Sequence, residues 1–182
     1  DNMILYSDEN TRKFELEGEW FKCVQYLHEK WRAEIKSVSL FLKLSVNAWY
    51  TLTLDGPELS LEKDEYDTLT DMLCNCFEYF NATFSTNENC QWIFGYMMEV
   101  RTDLFLNLGL EYNMIEQRGK SLIEKASNNE NLFAQLLFAL DNCSDKEVER
   151  RRKRVKEHIL EYFDASQEID QYFIEIFTVA VE

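Results

Sequence analysis

Glycine and proline are scarce in this chain, which has 5 glycines and 1 proline among its 182 residues. A protein built from β-sheets needs many turns, and these two residues are the commonest turn formers. Apolar residues recur mostly three and four positions apart, the spacing that places them on one face of an α-helix. The composition therefore predicts an all-α protein, and the length fits a single domain over residues 1–182 with its own core.

Basic residues and long apolar runs are also scarce. The chain has 34 acidic and 19 basic residues, a formal net charge of −15, which repels nucleic acids and anionic membranes and attracts cationic proteins. No run approaches the roughly 20 apolar residues of a membrane span, because Lys43 and Asn47 interrupt the most apolar stretch. The N-terminus lacks the pattern of a secretion signal. We therefore expect neither nucleic acid nor a membrane as a partner.

Cysteine and histidine occur in no pattern that binds metal. Five cysteines are an odd number without disulfide spacing, which indicates reduced thiols, mostly buried, in a cytoplasmic protein. Cys74 and Cys76 are two apart, which on a helix places them on different faces, and His28 and His158 are distant in sequence. We expect no metal and no cofactor.

Catalytic motifs are missing as well. The sequence has no glycine-rich phosphate loop, no G-x-S-x-G elbow and no H-E-x-x-H motif. His28 is more simply explained as a partly exposed helix residue than as a general base. We therefore predict that the protein is not an enzyme, with an enzyme of unrecognised type as the open alternative.

Eight helices are predicted from apolar periodicity and turn residues. They cover roughly residues 17–32, 34–52, 61–84, 88–106, 111–127, 130–141, 144–164 and 166–181. The second is apolar nearly all round and is expected at the centre. The last ends in FIEIFTVAV, whose β-branched residues also fit a strand. Short connections favour antiparallel neighbours, so we expect a bundle or stack of about eight antiparallel helices.

Local signals refine these helices. The Gly-Pro pair at 56–57 ends the second helix, and Ser60 is a suitable cap for the third. Ser144, with Glu147 in the capping-box position, begins the seventh. Gly95 lies inside the fourth helix, where glycine costs about 1 kcal/mol relative to alanine. Close approach of another helix would justify that cost.

The basic run EVERRRKRVKEH, residues 147–158, is interpreted as a solvated helix face. The pairs Glu147–Arg151, Glu149–Lys153 and Lys153–Glu157 are each four residues apart, a spacing that forms ion pairs along one helix. Contact with acidic groups of this protein or of a partner is the alternative.

Two segments concentrate the negative charge. Residues 55–71, DGPELSLEKDEYDTLTD, hold seven acids and one lysine, and residues 161–182 hold six acids without lysine or arginine. A metal ion, a basic partner and water are the three possible targets. Counted from Asp64 as the first residue, the sixth is Leu69, whereas a calcium loop has glycine at that position.

Carboxylates beside aromatic residues suit a binder of a basic protein, since charge speeds encounter and buried aromatics supply affinity. An acidic face that only maintains solubility is the simpler alternative. The candidate partner-binding residues are Asp64, Glu65, Tyr66, Asp67, Asp71, Asp170, Tyr172 and Glu175.

Several packing motifs resemble those of small, all-helical bacterial immunity proteins. The motifs are SLFLKLSVNAWYTL, WIFGYMMEV and GKSLIEKAS followed by Asn131, and the similarity covers roughly residues 20–135. The resemblance implies a cytoplasmic antitoxin that binds the toxin of a contact-dependent growth inhibition system and blocks its active site. Many such toxins are nucleases, and an RNase is the expected one. Nuclease clefts are basic because they hold phosphates, so an acidic protein would stand in for nucleic acid. The alternative function is a helical-hairpin adaptor or scaffold protein that binds peptide segments in a groove.

Overall fold

A computed structural model describes residues 2–34 and 36–179. Nine α-helices lie in this part of the chain: α1 Glu9–Leu16, α2 Trp20–Ala33, α3 Val38–Leu54, α4 Lys63–Tyr79, α5 Glu88–Val100, α6 Tyr112–Asn128, α7 Leu132–Asn142, α8 Asp145–His158 and α9 Glu168–Thr178. A π-helical turn over Phe80–Phe84 extends α4, and 3₁₀ turns over Thr102–Leu108 and Ile159–Glu161 follow α5 and α8. The described residues contain no strand, which confirms the all-α prediction.

The first helix, α1, is not among the predicted helices. Its eight residues, ENTRKFEL, are mostly polar and lack a long apolar stripe. The helix begins because Asp8 Oδ1 accepts a hydrogen bond from the backbone N–H of Thr11 at 2.7 Å, which satisfies one of the free donors at a helix start. It ends before Gly18, whose φ of +70° favours glycine.

Helix α3 lies at the centre, as predicted. Of its 17 residues, 13 are buried, and it packs against α2, α4, α5 and α9. The helix ends at Leu54, whose carbonyl accepts the backbone N–H groups of Glu58 and Leu59. Gly56 follows with a φ of +102°, which explains why the Gly-Pro pair stops the helix.

The close approach predicted for Gly95 is confirmed. A Cβ atom on Gly95 of α5 would lie 2.7 Å from the carbonyl oxygen of Gly119 on α6, and a Cβ on Gly119 would lie 2.8 Å from the Gly95 oxygen. The two helices therefore touch backbone to backbone, which the larger side chain of any other residue would prevent.

The last helix, α9, is helical over Glu168–Thr178 and not a strand. Ile169, Phe173 and Phe177 recur every four residues and are buried, so helical periodicity outweighs the β-branched composition. Phe173 and Phe177 both contact Trp92, with ring centroids 5.7 and 5.5 Å away. Residues 180 and 181 of the predicted helix lie outside the described residues.

Helix starts and surface pairs only partly follow the predictions. Ser144 caps α8, since its hydroxyl accepts the Glu147 N–H at 3.3 Å, as predicted, but the Glu147 carboxylate pairs with Arg150 and Arg151 and does not complete a capping box. Ser60 does not cap α4, because the N-cap residue is Glu62. On α8, Glu147 pairs with Arg151 at 2.8 Å as predicted.

The inner side of α8 holds α9 in place through an arginine. Glu149 pairs with Arg152 at 3.6 Å and not with Lys153. Arg152 is buried, and its Nη1 donates to the carbonyl of Phe177 at 3.1 Å, in the last turn of α9, where cations are favoured.

Within residues 2–34 and 36–179, no helix has the length and apolar character that crossing a membrane requires.

Candidate functional site: an acidic and aromatic face

The acidic stretch 55–71 uses some of its carboxylates to build its own structure. Asp55 Oδ1 accepts the backbone N–H of Leu61 at 2.8 Å and closes the loop before α4. Glu65 Oε1 accepts the N–H of Glu62 at 3.0 Å, at the start of α4. Negative side chains in a first helical turn are also favoured by the helix dipole. Part of the charge in this stretch therefore serves local folding.

Three of the predicted residues share the outer face of α4. Asp64, Asp67 and Asp71 are exposed and lie three and four residues apart, opposite the buried Leu69. Asp67 is partly neutralised by Lys63, whose Nζ lies 2.8 Å away. These three carboxylates lie on one surface, but no aromatic residue of the prediction accompanies them, and their contact with a partner stays a prediction.

Tyr66 and Glu65 point to other sides of α4. Tyr66 is half-buried and lies near Arg101, whose pKa is raised chiefly by its hydrogen bonds to Asp103 and more weakly by Tyr66. Glu65 lines a cleft beside Trp20. The five predicted residues of α4 therefore do not form one binding surface.

The prediction that Asp170 contacts a partner is wrong. Its side chain is buried, with Oδ1 3.9 Å from Lys43 Nζ and Oδ2 accepting the backbone N–H of Asp164 at 2.7 Å. Burial raises the pKa of Asp170 to about 6, although the positive charge of Lys43 opposes the shift. Lys43 is the residue from which the burial of an acidic partner could have been predicted, because a lysine inside an apolar helix needs a buried counter-charge.

Asp170 belongs to a buried ionic cluster that joins three helices. Lys43 of α3 lies 3.0 Å from Glu15 Oε2 of α1, and both side chains are inaccessible to solvent. Glu15 Oε1 also accepts the backbone N–H of Ile169, the second residue of α9, at 3.1 Å. Glu15, Lys43 and Asp170, hereafter the buried cluster, therefore fix the position of α9 against α1 and α3.

Four aromatic residues from four helices form a continuous row, in which Trp20 is buried and the three tyrosines are partly exposed. Tyr172 of α9 is hydrogen-bonded to Tyr96 of α5, with their hydroxyl oxygens 2.6 Å apart. Its ring lies 5.3 Å from that of Tyr50 on α3, which lies 5.1 Å from the ring of Trp20 on α2. The three tyrosines are half-buried, so each keeps part of its ring at the surface. We call Trp20, Tyr50, Tyr172 and Tyr96 the aromatic row.

The two acidic segments meet beside this row. The pKa of Tyr50 is raised to about 12, mainly by burial and further by the nearby Glu58, Glu168, Tyr172 and Glu175. Glu58 comes from the first acidic segment, and Glu168 and Glu175 come from the second. All three carboxylates are exposed. We call Glu58, Glu168 and Glu175 the acidic rim.

The sequence identified only part of this face. Tyr172 and Glu175 were predicted and lie on it, whereas Tyr50, Glu58 and Glu168 were not singled out. The signal for Glu168 is its spacing, since it lies four residues before Tyr172 and therefore on the same face of α9. Glu58 carries no comparable signal, because its position depends on how the loop after α3 folds.

Thiol and metal chemistry find little support at other sites. Burial raises the pKa of the thiols of Cys23 and Cys90 to about 12, which disfavours the reactive thiolate. Cys74 and Cys76 are also buried and Cys143 is partly exposed, all as free thiols. Over the described ranges, no three side chains of His, Cys, Asp or Glu are grouped so as to hold a metal ion.

Comparisons of the chain with protein-family models, with curated proteins and with solved structures give no match. The interpretation of the acidic and aromatic face therefore depends on its own geometry and charge.

Proposed function

We propose that this protein is a non-catalytic binder of a basic protein, and specifically a cytoplasmic immunity protein that neutralises a cognate cationic toxin. The observation that carries the proposal is the acidic rim beside Tyr50 of the aromatic row. Glu58 of the first acidic segment and Glu168 and Glu175 of the second all lie near enough to the half-buried Tyr50 to raise its pKa.

The charge of this face favours fast and selective encounter with a cation. A net charge of −15 produces a long-range field that attracts basic partners, and such steering raises association rates by roughly 10- to 1,000-fold. Like charge simultaneously excludes nucleic acids and other acidic proteins.

The aromatic row provides the part of the surface on which affinity depends. Tyrosine and tryptophan are enriched among the residues that dominate binding energies, because they bury a large area with few rotatable bonds. The hydrogen bond between Tyr96 and Tyr172 and the packing of Tyr50 on both neighbours limit the motion of these rings. A partner would therefore meet a surface that is already ordered.

The proposal that the basic partner is a toxin rests on the resemblance of the packing motifs to those of immunity proteins, in addition to the charge and the aromatic row. A nuclease holds its substrate through Lys and Arg side chains, and the acidic rim would pair with them while the aromatic row covers the cleft. The proposed mechanism is therefore occlusion of an RNase active site by a stoichiometric inhibitor.

The test is capture from the source bacterium with this chain as bait at about 0.3 M salt, where the Debye length is about 6 Å. We expect one basic partner at one-to-one stoichiometry, with RNase activity that an equimolar amount of this chain abolishes. A partner whose activity is unchanged by binding would overturn the toxin assignment. Several weakly held partners, or none, would overturn the proposal as a whole.

One observation favours the adaptor as a second candidate. A groove of about 440 Å³ lies between α2 and α4, above Leu44 of α3, and its lining includes Trp31, Met72 and Tyr79. An apolar groove between two helices is a common site for an amphipathic peptide. An adaptor would bind through this groove, so Met72→Glu would abolish its binding and leave binding at the acidic rim intact.

A further inference from the structure

A cleft of about 420 Å³ lies at the Trp20 end of the aromatic row, between the start of α2 and the loop that precedes α4. Its lining combines apolar side chains with two glutamates. We infer that this cleft binds an arginine side chain of the basic partner. The inference rests on the proposed function, which it deepens by naming the group that the cleft recognises.

The floor of the cleft is largely apolar. Trp20 lines it and is 8% exposed, and its indole packs against the ring of Tyr50 with centroids 5.1 Å apart, so the indole is held in place. Phe21, Leu59 and Leu61 are half-buried and complete the apolar lining. A guanidinium group stacks on aromatic rings, and the methylene groups of arginine cover aliphatic carbon.

The rim of the cleft carries the opposite charge to arginine. Glu19, at the start of α2, and Glu65, on α4, both line it and are half-buried. One oxygen of Glu65 accepts the backbone N–H of Glu62, which orients the carboxylate without neutralising it. A fixed carboxylate beside an aromatic floor matches the planar, forked donor group of arginine.

Lys22 also lines the cleft and is the group that an arginine would displace. Its Nζ lies 3.6 Å from Glu19, and its side chain is 66% exposed. Water screens an exposed pair of this kind, so Lys22 can move into solvent at little cost. The exchange would replace a loose lysine contact with a stacked and bidentate one.

Lysine fits the cleft less well than arginine. An ammonium group is more strongly hydrated, lacks the planar fork and lies over aromatic rings less often than a guanidinium group. The same surface would reject acidic side chains, because Glu19 and Glu65 repel them. The cleft therefore selects arginine among the side chains of a basic partner.

The test uses N-acetyl-arginine amide as the probe and follows protein backbone and indole N–H signals by NMR. We expect saturable shifts at Trp20, Phe21 and Leu61, with weaker binding of N-acetyl-lysine amide and no binding of the neutral N-acetyl-citrulline amide. Glu65→Gln should weaken arginine binding by about tenfold, because it removes the negative charge. The amide oxygen of the new glutamine can still accept the backbone N–H of Glu62. Asp64→Asn removes one charge from the outer face of α4 and should change the affinity by less than about twofold.

Equal shifts with arginine and citrulline, or shifts spread evenly over the exposed carboxylates, would overturn the arginine assignment. So would equal binding to the wild-type chain and to Glu65→Gln. Because the probe is a single amino-acid derivative, these results leave the toxin proposal standing. If this chain failed to inhibit a captured basic partner, the toxin proposal would be overturned, whereas the arginine assignment of the cleft would stand.

Discussion

Lys43 Nζ lies 3.0 Å from Glu15 Oε2, and neither side chain is accessible to solvent. Asp170 Oδ1 is 3.9 Å from the same ammonium group. One buried cation therefore serves two buried carboxylates that come from opposite ends of the chain. Because Asp170 lies two residues before Tyr172, this cluster also determines where α9 places its part of the acidic and aromatic face.

We expect Lys43→Met to lower the free energy of unfolding by about 3–5 kcal/mol, because it leaves two carboxylates buried without a counter-charge. Denaturant titration at neutral pH measures the change. The matched control is Lys63→Met, which breaks an ion pair whose lysine is 87% exposed and should leave the stability nearly unchanged, because water screens such a pair. Similar losses in the two variants would show that the buried cluster contributes no special stability.

We expect Asp170→Asn to remove a pH dependence of stability. The pKa of Asp170 is about 6 in the folded chain and 3.8 for an unperturbed aspartate. The folded state therefore binds the proton of the Asp170 carboxyl more tightly than the unfolded state does. The stability from this group is fully present below about pH 3.8 and is lost as the pH rises through 6. The wild-type chain should therefore lose stability relative to Asp170→Asn between pH 4 and pH 7, as measured by denaturant titration across that range. An opposite slope would contradict the assignment.

We expect Gly95→Ala to destabilise the fold by about 1–3 kcal/mol or more, despite the higher helix propensity of alanine. The added Cβ would lie 2.7 Å from the Gly119 carbonyl oxygen and would force α5 and α6 apart. Thermal unfolding measures the change. Ser121→Ala is the control, because this position on α6 is exposed and alanine there should be neutral or slightly stabilising. A Gly95→Ala variant as stable as the wild-type chain would contradict the close packing.

We expect charge reversal of the acidic rim to slow association with the captured toxin by about 10- to 100-fold at low salt. The variant is Glu58→Lys, Glu168→Lys and Glu175→Lys together, and stopped-flow kinetics measures the rate.

The control for the rim variant reverses the same number of charges on the outer face of α4, with Asp64→Lys, Asp67→Lys and Asp71→Lys. Both variants change the net charge equally, so the difference between them reports the location of the interface. A larger effect of the α4 variant would move the interface to the outer face of α4, where the sequence first placed it.

Local periodicity predicted most helices, but it did not predict which distant groups meet. The inward stripes of α4 and α9 and the Gly95 contact follow from spacing within single helices. The short polar helix α1 was missed because it carries too few apolar residues to show a stripe. Asp170 was misassigned because its partner, Lys43, is distant in sequence and no local pattern connects them.

The acidic and aromatic face was only half predicted for the same reason. Tyr172 and Glu175 share one helix and could be recognised together. Their approach to Glu58 and Tyr50 depends on the packing of α9 against α3, which the buried cluster fixes. Tertiary contacts of this kind become visible only in the folded chain.

The buried cluster has a consequence for folding. Ile169 donates its backbone N–H to Glu15 Oε1 across 154 residues of sequence, and closing so long a loop costs chain entropy before any contact offsets it. We therefore expect the cluster, and with it the position of Tyr172 on α9, to form late when the chain folds.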